Sequence, residues 1–93
     1  MEAVLKRQID AMTENELKDI FCRDYLRRLA RYRMMDNSCR KKYKMDFERF
    51  QKANVVKEQG YTFEIESDAQ EWELAIDGIK TIERKLGELS GGN

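Results

Sequence analysis

Five carboxylates crowd into ten residues at Glu64, Glu66, Asp68, Glu71 and Glu73. Acids grouped in this way hold divalent cations or divide acid and base roles, provided a fold gathers them and desolvates one of them. On an extended segment Glu64 and Glu66 share a face, and Asp68 stands at the start of the next helix, where negative charge is favoured in any case. The Asp-x-Asp-x-Asp-Gly spacing of a calcium loop is missing. A solvated acidic face, or one half of an internal ion-pairing scheme, is the simpler expectation. The chain of 93 residues has no His. That removes the commonest general base and metal ligand, and with them histidine triads and His-containing zinc sites. Cys22 and Cys39 are 17 positions apart. On one continuous helix their α-carbons would lie about 25 Å apart, against the roughly 7 Å a disulfide tolerates. They read as apolar-face thiols of a reducing compartment. There is no phosphate loop, GxGxxG or nucleophile elbow, and a single domain of this length leaves little room for a cleft. The expectation is a non-enzyme with no catalytic residue, cofactor or metal.

Charge is balanced overall, 18 basic against 18 acidic residues, but not evenly spread. Residues 22–44 carry nine basic side chains against Asp24 and Asp36, a net +7. Residues 58–77 carry seven acidic side chains and no basic one, a net −7. The two segments either lie side by side and attract one another, or one of them meets a partner. Phosphates of a nucleic acid would be met by Arg27, Arg28, Arg31, Arg40, Lys41 and Lys42. The acidic segment suits a basic cleft on another protein.

The elements that must position these groups are mostly helical. Pro is absent, and Leu, Met, Glu, Lys, Arg and Ala abound. Residues 1–12 make one or two amphipathic turns through Leu5, Ile9 and Met12. Thr13 and Glu16 form a capping box. Beyond it Leu17, Phe21, Tyr25, Tyr32, Met35, Cys39 and Tyr43 fall within a sector of roughly 80° at helical spacing. That predicts a long helix over 14–43, with a possible break at Asp36-Asn37-Ser38, three poor helix formers in a row. Asp46 caps a short helix over 47–53. Gly60 is a turn residue, and Tyr61-Thr62-Phe63-Glu64-Ile65-Glu66 alternates apolar and polar with period two, which predicts an extended, β-like segment over 61–66. Ser67 and Gln70 form a further capping box for a helix over 68–89. Its Trp72, Ala75, Ile76, Ile79, Ile82, Leu86 and Leu89 have the gaps of a coiled-coil seam. Residues 90–93 read as a frayed tail. The fold class is mainly α: one domain, an antiparallel helical hairpin with a short middle helix and one extended segment.

Two helices leave much apolar surface wet, so a homodimer or a complex with another protein is expected. A lone strand must also find a partner for its amides: Val55-Val56-Lys57, a second copy, or another protein's sheet edge. The candidate partner-binding residues are therefore Tyr61, Phe63, Ile65 and Trp72 as anchors, with Glu64, Glu66, Asp68 and Glu71 steering by charge. The alternatives are a homodimeric nucleic-acid-binding protein using the basic stretch, or a purely structural dimer. No run of about 18 apolar residues is present and the start has no signal-peptide pattern, so no membrane association and a cytoplasmic location are expected.

Lys42-Tyr43-Lys44-Met45-Asp46-Phe47-Glu48-Arg49-Phe50, followed by Phe63-Glu64-Ile65-Glu66-Ser67-Asp68-Ala69-Gln70-Glu71-Trp72-Glu73, resembles small prokaryotic, often archaeal, helical proteins of toxin–antitoxin type operons. Those chains carry Lys-Tyr-Gly-Met, Ser-Phe-Glu-Glu-Phe and an acidic Asp-x-x-x-Trp-Glu helix. The resemblance covers about residues 42–89, and Lys44 stands where the pattern has Gly. It implies a non-enzymatic chain that wraps and blocks a partner, such as a toxin encoded next door. Residues 1–41 contain no recognisable ribbon-helix-helix or AbrB-like segment.

Overall fold

The break between the first two helices is set by Thr13. Its backbone is extended (φ −74°, ψ 160°) and its hydroxyl accepts from the Glu16 amide at 3.1 Å, satisfying one of the amides a helix start leaves free. In the computed structural model, which describes residues 2–91, α1 (Glu2–Ala11) precedes this cap and α2 (Glu14–Tyr43) follows it. α2 is continuous through residues 36–38. The reason is that Asp36 points inward and is occupied. Its carboxylate accepts from the Trp72 indole at 2.9 Å and from Arg40 at 3.2 Å, so it does not compete for nearby backbone amides.

α2 stops at Lys44, which takes the left-handed conformation (φ 58°, ψ 36°) usually given to glycine. Asp46 then caps α3 (Phe47–Lys52), accepting from the Arg49 amide at 2.9 Å. Asn54 (φ 56°) turns the chain into α4 (Val55–Glu58). Gly60 and Tyr61, both at positive φ, lead into α5 (Phe63–Gly91).

Here the extended segment expected over 61–66 is corrected. The described residues contain helices and no strand. Thr62 is the cap, its hydroxyl accepting from the Ile65 amide at 3.3 Å and its carbonyl from Glu66 at 3.0 Å. Phe63 to Glu66 are the first turn of α5. Val55-Val56-Lys57, the strand partner considered, is itself helical and offers no ladder. Instead the Tyr61 amide donates to the Val56 carbonyl at 3.0 Å. Ser67 lies inside α5, and the helix runs on through Ser90 to Gly91 rather than fraying at residue 90. Gly92 and Asn93, the rest of the expected tail, lie outside the described residues, as does Met1.

α2 and α5 lie alongside each other in opposite directions. Lys42 meets Glu64 and Asp68, Asp36 meets Trp72, Arg33 meets Glu83, and Lys85 sits over the Tyr25 ring. They approach closely at Gly78, where a β-carbon would overlap the Tyr32 ring. α3 and α4 pack over one end of this pair. There Cys39, Phe50, Ile65 and Trp72 form the main buried cluster, with Met35, Tyr43, Met45, Phe47, Val55, Val56, Ala69 and Ile76 around it. Leu29, Ala75 and Ile82 continue the buried seam away from it. Among the described residues α1 packs against no other helix and has no buried side chain. The molecule measures 56 × 31 × 17 Å with a radius of gyration of 18.5 Å, against about 12 Å for a compact chain of this length. Among the described residues no helix is long and apolar enough to cross a membrane.

Candidate interaction surface

The acidic start of α5 is fixed by the end of α2. Lys42 reaches Glu64 and Asp68, both at 2.6 Å, and the Tyr43 hydroxyl donates to the same Asp68 oxygen that Lys42 contacts. Hydrogen bonding to Asp68 and then Glu64 raises the Lys42 pKa. The ammonium and phenol together lower that of Asp68. Burial, reinforced by the bond to Asp68, pushes the Tyr43 phenol up to about 12. Burial also pushes the Cys39 thiol up, with Asp68 adding to it, so Cys39 is a buried apolar filler and not an activated nucleophile. Asp68 is thus a structural pin between helices, with a side chain only 19% exposed.

Trp72 and Ile65, two of the anchors expected for a partner, are core residues. Trp72 is 0% exposed and Ile65 5%. The indole ring lies 4.9 Å from the Phe50 ring, 5.3 Å from Phe47 and 6.0 Å from Tyr43, within the range of favourable aromatic pairs. Its N–H is satisfied by Asp36, itself buried. Asp36 is the residue that sequence reasoning missed. A signal was present, because Tyr32, Asp36, Cys39 and Tyr43 step by fours and threes along the inward face of α2.

Tyr61 and Phe63 are placed differently. Phe63 is 87% exposed and Tyr61 57%. With Glu64 and Glu66, also exposed, they form an aromatic knob rimmed by acids at the start of α5, and Glu71, exposed as well, follows two turns along the helix. Glu64 and Glu66 no longer share a face, since residues two apart on a helix diverge by about 200°. Among the described residues no three Cys, Asp or Glu side chains gather into a metal-holding group. Elsewhere at this end, α3, α4 and α5 leave a shallow groove of about 330 Å³ between Phe47, Val55, Ala69 and Glu73.

The basic stretch divides in two. Arg28 pairs with Asp24 at 3.1 Å, Arg40 with Asp36 at 3.1 Å, and Lys42 is held by α5. Arg27, Arg31 and Lys41 are exposed and have no ion pair among the described residues. Between the +7 and −7 segments, Lys42 supplies the only direct ion pairs among these residues. Comparison of the chain with protein-family models, with curated proteins and with solved structures finds no match.

Proposed function

We propose that the chain is a non-enzymatic protein–protein interaction module, an antitoxin-like neutraliser of a partner protein in the cytoplasm. In this reading the molecule is a helical hairpin whose capped end carries the contact surface. The single observation behind it is the knob. Tyr61 at 57% exposure ends a turn with two successive positive φ angles, and Phe63 at 87% opens α5 just after it, followed by Glu64 and Glu66. A large ring left in water by an otherwise closed aromatic core, with acids at its rim, has the make-up of an interface centre with a steering border. Phe63 and Tyr61 are the anchors. Glu66 and Glu71 steer, and Glu64 and Asp68 hold the knob in place through Lys42. Ile65 and Trp72 act only by supporting it from beneath.

The test is co-expression with the product of the neighbouring reading frame. The two chains should co-purify, and Phe63→Ala combined with Tyr61→Ala should abolish the complex while leaving Trp72 buried. A wild-type chain that emerges alone would remove the reading. One observation favours a second reading, a phosphate-contacting face: Arg27, Arg31 and Lys41 are exposed on α2 and have no ion pair among the described residues. Binding of this kind would fall steeply with salt. No shift of duplex or single-stranded probes at low salt would dismiss it.

A further inference from the structure

α3 covers one face of the α2–α5 pair at the capped end, beside Arg40 of α2 and Glu73, Ile76 and Lys80 of α5. Stepping by threes and fours, that face continues along α2 through Arg33, Leu29, Leu26 and Cys22, and along α5 through Glu83 and Gly87. Arg33 and Glu83 bridge it midway. Beyond this bridge none of the described residues covers it. A groove opens there between Cys22 of α2 and Leu86, Gly87 and Leu89 of α5, and Leu26 stands 51% exposed on the same face. At the same end of the chain α1 presents an apolar ridge, Leu5 at 60% and Ile9 at 53% exposure, with Val4 at 56% beside them. Among the described residues α1 packs on no other helix. A ten-residue helix standing alone in water is marginal, so α1 needs a surface to lie on.

We propose that this surface is the open groove of a second copy, so that the chain is a twofold homodimer in which α1 of each protomer covers the bare end of the other as α3 covers the capped end. Three observations select a second copy as the occupant. The first is area. The chain exposes 7550 Å², whereas a compact monomer of 11.1 kDa exposes about 5,700 Å². The excess is about 1,900 Å² per chain, and twice that falls in the range buried by obligate homodimers. The second is self-complementarity. Ridge and groove lie on one chain, as a twofold interface requires, since each copy must offer both halves of the contact. The third is charge. α1 carries Glu2, Lys6, Arg7 and Asp10, with no net charge, and the groove is flanked by Lys18 and Asp19. Two copies meet here without like-charge repulsion.

Ile9→Glu is the decisive variant, because in a single chain α1 packs on nothing and the substitution has nothing to disturb. Light scattering on the intact wild-type chain should give twice 11.1 kDa, and Ile9→Glu should halve it. Leu26→Glu, one turn from the groove on the same face, should do the same. Trp72 fluorescence, shielded from quenchers in all three proteins, reports that the capped end is folded. A wild-type chain that is monomeric at high concentration overturns the proposal, and so does a dimer that Ile9→Glu leaves intact. Assemblies that grow beyond two copies also overturn it, since a twofold contact closes. An Ile9→Glu monomer that still captures the neighbouring gene product through Phe63 separates this inference from the proposed function.

Discussion

The two ends of the α2–α5 pair are built from the same pair of helices and differ in almost everything else. At the capped end Trp72, Phe50, Phe47 and Tyr43 stack over Cys39 and Ile65, and every buried polar side-chain atom among the described residues has a partner. At the open end Ile20, Phe21 and Leu26 are 47–51% exposed. The difference is one of layers. Two helices present apolar stripes wider than the line along which they touch, and a third element must close the angle between them. α3 and α4 do this at one end. At the other the chain supplies only α1, which is turned away. Burial is therefore local, and stability should be local with it.

Substitutions can break or sharpen that contrast. The largest effect should come from Trp72→Ala, which empties the middle of the aromatic cluster. We expect a loss of about 3–5 kcal/mol, measured by urea or thermal unfolding. Asp36→Ala should follow, at about 1–3 kcal/mol, because it leaves the buried indole N–H without an acceptor. Lys44→Gly runs the other way. Relieving a left-handed lysine should raise stability by about 1 kcal/mol, visible as a shift of the unfolding midpoint.

A smaller, pH-dependent effect belongs to the Lys42–Asp68–Tyr43 pin. The Asp68 pKa is lowered in the folded chain. Its contribution is therefore present above the ordinary carboxylate range and lost as pH falls through the folded value. Tyr43 has the opposite sign. Raised to about 12, it contributes fully below its ordinary value near 10 and loses that contribution between there and about 12. Asp68→Asn should flatten the acid limb of a stability–pH profile. The least effect should come from Phe21→Ala, within about 0.5 kcal/mol for the isolated chain, since half of that ring is already in water.

The helical character of the chain was legible in its residues, and so were the Thr13 and Asp46 caps, which bond as their types suggest. Residues 61–66 were not. Six residues of period-two alternation are too few to separate a strand from a turn running into a first helical turn, and Thr62, a good cap, was hidden inside the pattern. Trp72 was ambiguous for a different reason. Its spacing placed it on a seam, but spacing alone does not say whether the seam is closed by the chain's own helices or by a partner. The inward Asp36, which satisfies the indole, decides it, and an acid within an apolar stripe is where such a pairing can be sought.

The close approach of Gly78 to the Tyr32 ring has a mechanical consequence. Were α5 to slip along α2 by one turn, Leu74 or Ala75, or in the other direction Thr81 or Ile82, would stand where Gly78 now leaves room. Each brings at least a methyl group into the ring. The glycine is thus a notch and the tyrosine its detent. With the Asp36–Trp72 bond and the Asp68 pin at the capped end, they lock the sliding register of two long helices whose apolar seam is otherwise rich in interchangeable isoleucines and leucines.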